Sequence, residues 1–173
     1  DGTAVAFVWS GPEGLNKDIY VKRLGQDNVQ RLTNNPDEEF TPAFSPDGSR
    51  IVFLRRGSGA GTSTIVVMPS QGGPEEAIAE IVFTPGFRGL TWWPDGESFL
   101  VRDRLGPEAG LVRVYRDGRK EGFVEGPRGG TDSLPQFSPG ARRVAFLRAT
   151  GHSNKLCVVE RDASGLRCFD AKD

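Results

Sequence analysis

The chain has 173 residues, enough for one hydrophobic core that buries roughly 70% of the surface of the unfolded chain. Its 22 Lys and Arg residues against 23 Asp and Glu residues leave a net charge of −1, without the cationic patch that nucleic-acid binding needs, so we expect no nucleic-acid partner. No apolar run approaches the roughly 20 residues that span a bilayer, so we also expect no direct membrane insertion.

The predicted elements begin with a strand in AVAFVW, directly after Asp1-Gly2. A second strand follows in DIYVKRL (18–24), and a weaker third strand follows in VQRLT (29–33). The inner strand TPAFS (41–45) then leads into the turn formed by Pro46, Asp47 and Gly48. Each run is short, β-branched and bounded by turn residues, which is typical of strands rather than helices.

The same order of elements returns three more times, except that the fourth repeat has no inner strand after its third one. The second repeat holds RIVFL, TIVVMPS, EEAIAEI and RGLTWW, and it ends in the turn Pro94, Asp95 and Gly96. The third repeat holds SFLVR, LVRVYRD, KEGFVE and SLPQFS. The fourth holds RVAFL, KLCVVER and GLRCFD. Within the first strand of each repeat, one apolar slot is shared by Val5, Ile51, Phe99 and Val144.

Four strands per roughly 46 residues is the period of a propeller blade. We therefore predict an all-β chain, a β-propeller fragment over 1–173 with four-stranded antiparallel blades at approximately 1–46, 47–94, 95–139 and 140–173. The alternative fold is a generic β-sandwich. Fifteen strands are one short of four blades, which favours a piece of a larger ring of about six blades, and the alternative is a compact ring of four.

The Ser-Pro-Asp-Gly phrase predicts a type I turn that ends in a left-handed residue. Pro46 presets the first central φ, Asp47 suits the second position, and Gly48 accepts a positive φ without steric strain. The fourth repeat carries Gly140-Ala141 where the others have Asp-Gly. We expect that turn to be built differently or to be slightly strained.

The phrases PAFSPDGSRIVFL, IVVMPSQGGPEEAI and NKDIYVKRLGQDNVQRLT resemble the Pro-Asp, WD-like repeats of TolB-type β-propellers over essentially the whole chain. Their closest resemblance is to the propeller region of bacterial, notably acidobacterial, CadC-like winged-helix regulators and Ser/Thr kinases. The resemblance implies a non-catalytic module for protein–protein interaction or sensing within a larger bacterial protein. It also implies a location outside the cytoplasm, in the periplasm.

A second hypothesis belongs to another class, the gating propeller of a prolyl-oligopeptidase-like serine hydrolase whose catalytic domain lies elsewhere. A third is a sugar- or lactone-processing propeller enzyme with a central metal, but the inner strands offer no converging His, Asp or Glu. The full-length sequence would separate the first two hypotheses.

Residues that could carry chemistry are few, so we predict no enzymatic activity, no cofactor and no metal. The single histidine, His152, has no neighbouring ligand or nucleophile pattern, and we interpret it as a surface loop residue. The stretch GSGAGTS (57–63) lacks the lysine of a phosphate-binding loop, and we interpret it as a flexible connector. The stretch NPDEEF (35–40) lacks the regularly spaced oxygen ligands of a calcium-binding loop, and we interpret it as a solvated acidic loop.

The two cysteines are predicted to face each other. If KLCVVE and GLRCFD form a hairpin, Cys157 and Cys168 fall opposite each other, with Cβ atoms about 4.5–5.5 Å apart. That distance is a little long for a relaxed disulfide, although strand twist can close the gap. A disulfide and two buried thiols both remain open at this point.

A partner-binding face is predicted at the ends of the second strands of the blades, where the outer-to-inner connections also arrive. Its predicted residues are Trp9, Arg55, Arg56, Arg104 and Arg148, joined by Asp37, Glu38 and Glu39 of the acidic loop. Arginine and tryptophan often dominate interface energetics, so a protein or peptide partner would dock there. The alternative is that the arginines pair with the acidic loop and only keep this face soluble. Exposed terminal blades would also allow self-association.

Overall fold

The computed structural model describes residues 2–12, 14, 16–57, 61–82, 89–151 and 153–170. Within these residues the chain forms fifteen β-strands, all of them paired antiparallel, and no helix. The prediction of an all-β chain is therefore confirmed. Across the same ranges, no helix could serve as a membrane span.

The chain divides into two compact units, 1–83 and 84–173. Unit 1 holds two sheets. The first sheet is three-stranded, with β1 (Ala4–Trp9), β2 (Asp18–Arg23) and β3 (Val29–Arg31). The second is four-stranded, with β4 (Glu39–Phe44), β5 (Arg50–Arg56), β6 (Thr62–Pro69) and β7 (Glu76–Val82).

Unit 2 holds two four-stranded sheets. The third sheet has β8 (Leu90–Trp92), β9 (Ser98–Arg104), β10 (Ala109–Tyr115) and β11 (Lys120–Val124). The fourth sheet has β12 (Gly130–Phe137), β13 (Arg143–Thr150), β14 (Ser153–Glu160) and β15 (Arg167–Asp170). In every sheet the strands that pair are neighbours in the sequence.

The sheets are offset from the repeats by one strand. The inner strand that ends each repeat pairs with the first strand of the next repeat, as β4 pairs with β5 through Phe44 and Ile51. The predicted blade boundaries at 46, 94 and 139 follow the Pro-Asp-Gly turns and stay a prediction. The turn is the hairpin inside a sheet, so each sheet begins one strand earlier than its repeat.

Each unit has its own hydrophobic core between its two sheets. In unit 1, Ile19 and Val21 of the first sheet pack with Ile51 and Phe53 of the second. In unit 2, Leu100 and Leu111 of the third sheet pack with Val144 and Phe146 of the fourth. All eight side chains are almost fully buried, because strands that are covered on a whole face carry continuous apolar runs.

The adjacent tryptophans that end the second repeat are both core residues. Trp92 packs edge-on against Phe99, with ring centroids 4.8 Å apart. Trp93 packs edge-on against Phe123 and Phe137, and the guanidinium of Arg113 lies 4.0 Å from its ring centre. Packing inside unit 2 therefore accounts for these two side chains.

The Pro-Asp-Gly turns have the predicted geometry. Gly48 and Gly96 both have φ of 71°, and their N–H groups donate to the carbonyls of Ser45 and Trp93. Asp47 accepts hydrogen bonds from the hydroxyl of Ser45 and from both the N–H and the hydroxyl of Ser49. These donors stabilise the carboxylate and hold the pKa of Asp47 well below its ordinary value.

The fourth turn is not built differently, but it does hold a non-glycine residue in the left-handed region. Ala141 donates to the carbonyl of Ser138 at 2.8 Å, the same bond that Gly48 makes, and its φ is 54°. The expected strain is therefore located at Ala141, since a Cβ at positive φ crowds the carbonyl oxygen.

The inner strands β4 and β12 share a bulge that the sequence did not reveal. The register shifts between Phe40 and Ala43 in β4 and between Ser133 and Gln136 in β12. In each bulge the residue before a proline has a positive φ, 49° for Thr41 and 52° for Leu134. The residues that precede the two bulges include Glu39 and Asp132, which carry the carboxylates described below.

Candidate functional site

A buried ion pair occupies the end of the second sheet. Glu39 lies directly across from Arg55 in the β4–β5 register, and its side chain has no exposed surface. The Nε and Nη2 atoms of Arg55 lie 3.0 and 2.6 Å from Oε1 of Glu39, and Nη2 also lies 2.7 Å from Oε2 of Glu75. Arg55 is 15% exposed, so most of the guanidinium is withdrawn from solvent by these contacts.

The first sheet contributes to this ion pair through Thr33. The Thr33 hydroxyl donates to Oε2 of Glu39 and accepts the backbone N–H of Ile19 at 2.9 Å. Burial raises the pKa of Glu39, although the hydrogen bonds from Thr33 and Arg55 oppose that effect. Burial by itself would lower the pKa of Arg55, but the hydrogen bonds to Glu39 and Glu75 outweigh it and raise that pKa.

The same cross-strand pair recurs in unit 2. Arg148 lies opposite Asp132 and binds it in a bidentate manner, with Nε to Oδ1 and Nη2 to Oδ2 both at 2.8 Å. Its Nη2 also donates to the carbonyl of Glu125 at 2.9 Å. The hydrogen bond to Asp132 raises the pKa of Arg148, and Asp132 itself is completely buried.

Sequence reasoning missed Asp132, but a signal for it exists. Glu39 and Asp132 each lie five residues before the aromatic residue that ends the inner strand, Phe44 and Phe137. Because the bulge intervenes in both strands, that spacing places each carboxylate opposite an arginine of the following strand.

The predicted partner face therefore separates into buried and exposed residues. Arg55, Arg148 and Glu39 are held in buried ion pairs, so the interpretation of residues 35–40 as a solvated acidic loop does not hold for Glu39. Trp9, Asp37, Arg56 and Arg104 are exposed, and Glu38 is half-buried. The structure joins Glu38 to Arg56 and, at 3.1 Å, to Lys17. These cations lower the pKa of Glu38, chiefly through the hydrogen bond from Lys17.

Trp9 is the exposed aromatic residue of this region. It is 42% exposed at the end of β1, where it lies opposite Asp18 and packs against Tyr20 with ring centroids 5.0 Å apart. The Trp9 ring thus packs against a buried tyrosine while the rest of the side chain stays exposed.

A groove of about 520 Å³ adjoins Tyr20 in unit 1. Its lining residues come from the β1–β2 and β3–β4 connections and from β2 and β3: Ser10, Gly11, Pro12, Asn16, Asp18, Tyr20, Arg31, Asn34, Asn35 and Pro36. Arg31 holds Oδ2 of Asp18 at 2.5 Å and the Asn34 side chain at 2.7 Å. The other oxygen of Asp18, Oδ1, is buried without a hydrogen-bond partner among the described residues.

The two cysteines are joined in the structure. Cys157 and Cys168 lie directly opposite each other in β14 and β15 and form a disulfide across 11 residues of sequence. Cys157 is completely buried and Cys168 is exposed, so the bond pins the edge strand to the core of unit 2.

The remaining sequence candidates give no further chemistry. His152 lies outside the described residues, as does part of the GSGAGTS stretch. In the portion of the chain that the structure describes, no group of three or more His, Cys, Asp or Glu side chains is placed to hold a metal ion.

Comparison with known proteins gives the family. The family model of the TolB beta propeller domain matches residues 1–171. The chain belongs to the TolB β-propeller family. The propeller architecture predicted from the repeats is thus confirmed, and the sandwich alternative is excluded.

Individual TolB relatives agree with this assignment. The chain is 28% identical over 166 residues to a protein TolB homolog of Chlorobium luteolum, covering 92% of this chain and 34% of that protein. It is 29% identical over 190 residues to the Tol-Pal system protein TolB of Anaeromyxobacter dehalogenans, covering 96% of this chain and 41% of that protein. The chain therefore spans well under half the length of these two TolB relatives.

Similarity also extends to a peptidase and to a solved structure. The chain is 29% identical over 112 residues to the uncharacterized peptidase YuxL of Bacillus subtilis, covering 61% of this chain and 16% of that protein. A TolB structure from Agrobacterium tumefaciens superposes with a TM-score of 0.78 at 20% identity, covering 98% of this chain and 62% of that one. At this identity the structural likeness shows the fold alone.

Proposed function

We propose that this chain is a non-catalytic binding module that docks a protein or peptide partner on an exposed surface of unit 1. This surface, the Trp9 surface, consists of Trp9, Asp37, Glu38 and Arg56, with the adjoining groove. The observation that carries the proposal is Trp9, a large aromatic side chain that is 42% exposed and packs against the buried Tyr20. Aromatic and arginine side chains in such settings are the residues that most often anchor an interface.

The buried arginines of the predicted face have a different role in this proposal. Arg55 and Arg148 pair with carboxylates that have no exposed surface, so they fix the ends of their sheets rather than contact a partner. Membership in the TolB family supports a protein-binding role, since one relative is named for the Tol-Pal system. The sensing role, the winged-helix or kinase setting, and self-association through the terminal blades stay predictions.

A pull-down with the intact protein tests this proposal. Trp9→Ala and Arg56→Glu are expected to weaken partner capture about tenfold each, the factor typical of an interface anchor. Arg143→Glu is the matched control for Arg56→Glu, because Arg143 is also exposed but lies on unit 2, where it pairs with Glu160. If all three variants capture the partner as the unchanged protein does, the Trp9 surface is not the docking site.

The gating propeller of a serine hydrolase is the second candidate, and the similarity to the YuxL peptidase supports it. Such a protein would react covalently with a fluorophosphonate through a serine outside this chain. We expect the intact protein to remain unlabelled. Stoichiometric labelling would replace the binding-module proposal with the hydrolase.

A further inference from the structure

Three of the four Asp-Gly pairs of the chain lie in hairpin turns that the structure describes. They are Asp47-Gly48, Asp95-Gly96 and Asp117-Gly118. In each turn the aspartate is exposed, and the glycine N–H donates to the carbonyl three residues earlier at 2.8–2.9 Å. An Asp-Gly pair is chemically labile, because glycine has no side chain to hinder attack of its nitrogen on the carboxyl group of the aspartate.

The carboxylates of Asp47 and Asp95 are held through both of their oxygens. Oδ1 of Asp47 accepts the N–H of Ser49 at 3.1 Å, and Oδ2 accepts the hydroxyl of Ser49 at 2.7 Å. The hydroxyl of Ser98 lies 3.2 and 3.3 Å from the two oxygens of Asp95, and the guanidinium of Arg113 binds Oδ2. Because hydrogen bonds to charged groups are the strong ones, both carboxylates resist the rotation that attack by the glycine nitrogen requires.

The third aspartate, Asp117, is held less firmly. Its Oδ1 accepts the N–H of Arg119 at 2.9 Å, and no other hydrogen bond or ion pair holds its side chain among the described residues. Pro46 and Pro94 precede the other two aspartates, whereas Arg116 precedes Asp117. Proline fixes the backbone φ, so the turn without a proline can rearrange more easily.

We propose that Asp117-Gly118 is a site of spontaneous aspartate isomerisation in the folded protein, whereas hydrogen bonds protect the pairs at Asp47 and Asp95. The nitrogen of Gly118 attacks Cγ of Asp117 in its carboxylic acid form, and the carboxyl OH leaves with the amide proton as water. Water then attacks the main-chain carbonyl carbon of Asp117 in the resulting succinimide, and the bond from that carbon to the Gly118 nitrogen breaks. The main chain now runs through Cβ and Cγ as isoaspartate, and the mass is that of the original chain.

Two further observations bear on this site. The reacting form is the neutral acid, and the hydrogen bonds from Ser45 and Ser49 hold the pKa of Asp47 well below its ordinary value, which makes that form scarce there. In the third turn, the guanidinium of Arg119 lies 3.6 Å from the ring centre of Tyr115, so a longer main chain between them changes an exposed surface of unit 2. The Trp9 surface lies on unit 1, so either proposal can fail without the other.

Ageing of the intact protein at neutral pH, followed by peptide mapping, tests the proposal. Chymotrypsin cleaves after aromatic residues, and its peptides 45–53, 93–99 and 116–123 each hold one Asp-Gly pair. Liquid chromatography separates isoaspartyl from aspartyl peptides of equal mass, and electron-transfer fragmentation identifies the altered bond. We expect isoaspartate to accumulate in 116–123 at least about tenfold faster than in the other two peptides, the factor for one hydrogen bond to a charged group.

Two controls assign the difference to the folded structure. In protein unfolded by guanidinium chloride, the three pairs should isomerise at similar rates, because a glycine follows each aspartate. Ser49→Ala removes the hydroxyl donor of Asp47 and should raise isomerisation there about tenfold. Ser164→Ala removes the equivalent donor of Asp162 and should leave the rate at Asp47 unchanged. Equal rates in the folded protein, the same bias in the unfolded protein, or no effect of Ser49→Ala would each overturn the proposal.

Discussion

At the scale of single residues, the fourth turn carries strain at Ala141, where the other turns have glycine. Gly48 and Ala141 occupy the same turn position with φ of 71° and 54°, and each donates the same hydrogen bond. A Cβ at positive φ destabilises the folded state by about 1 kcal/mol. Alanine offsets a few tenths of this, because it has less conformational freedom than glycine to lose on folding.

We therefore expect Ala141→Gly to raise the free energy of unfolding by about 0.5–1 kcal/mol and Gly48→Ala to lower it by a similar amount. Urea denaturation at equilibrium measures both. No atoms lie within 4 Å of a Cβ built on Gly48, so the second change tests backbone strain without a steric clash. Equal midpoints for all three proteins would contradict the assignment of strain to φ.

The carboxylate of Asp47 makes the stability of the turn dependent on pH. Its pKa is lower in the folded chain than in the unfolded chain, so the unfolded chain binds more protons between the two pKa values. The stabilisation is present above the unfolded pKa of about 3.9 and is lost as pH falls toward the folded pKa. Asp47→Asn should remove this part of the acid sensitivity.

Thermal unfolding between about pH 2 and pH 6 checks this expectation. The Asn variant should show a shallower fall in melting temperature at the acid end than the unchanged protein. Asp117→Asn is the matched control, because Asp117 is an exposed turn aspartate that accepts the N–H of Arg119 in the same kind of turn. Parallel pH profiles for the Asp47 variant and the unchanged protein would refute the linkage.

Replacing only Arg148 of the Arg148–Asp132 pair should destabilise the protein more than replacing both residues. Arg148→Met leaves the carboxylate of Asp132 buried and unpaired, which should destabilise unit 2 by about 3 kcal/mol. Adding Asp132→Leu should restore much of that loss, since replacing both partners removes the buried charge.

Chemical denaturation of the single and double variants measures this coupling. Arg143→Met serves as control, because the Arg143–Glu160 pair is exposed and is worth at most about 1 kcal/mol. A single Arg148→Met variant as stable as that control would show that Asp132 finds another partner.

At the scale of elements, the disulfide fixes the last edge strand. Cys157 and Cys168 close a loop of 11 residues. Such a bond stabilises the folded state by roughly 2–3 kcal/mol, because it lowers the conformational entropy of the unfolded chain. Reduction should lower the unfolding midpoint accordingly, and Cys157→Ala/Cys168→Ala should match the reduced protein.

Mass spectrometry of unreduced, alkylated protein decides whether the bond is present. Persistent structural disulfides belong to oxidising compartments, so an unmodified mass would support a location outside the cytoplasm. Two alkylated thiols would exclude the bond and weaken that expectation.

The sequence is informative about elements because two independent signals mark each strand. The Ser-Pro-Asp-Gly turn indicates where β5 begins, the related Trp-Pro-Asp-Gly turn does so for β9, and the apolar slot at Ile51 and Phe99 indicates which face is buried. The bulge at Thr41 cannot be predicted in this way, because a left-handed threonine has no local signal. Without the bulge, Glu39 cannot be placed opposite Arg55, so sequence reasoning leaves the whole acidic loop solvated.

At the scale of the whole molecule, each of the two units has a buried hydrophobic cluster of its own among the described residues. Phe53 in unit 1 and Phe146 in unit 2 are both almost completely buried. Phe53→Ala and Phe146→Ala should each lower the free energy of unfolding by about 3–5 kcal/mol. Phe169→Ala should change it by less than about 1 kcal/mol, because Phe169 is 54% exposed.

Equilibrium unfolding followed by tryptophan fluorescence and far-UV circular dichroism would measure these differences. The spectrum of the folded protein should show β-structure without a helical double minimum. A loss at Phe169 as large as that at Phe53 would mean that the outer face of the fourth sheet is covered in solution.

The pairing of strands only with their sequence neighbours has a consequence for biosynthesis. Every hairpin joins segments that leave the ribosome within a few seconds of each other, at roughly 5–20 residues per second. Within the described ranges no strand has to wait for a distant segment, so loop-closure entropy is small at each step. We expect the first two sheets to be assembled while the fourth is still being translated, and arrest of synthesis at a point where residue 83 has emerged from the ribosome should already yield a protease-resistant nascent chain.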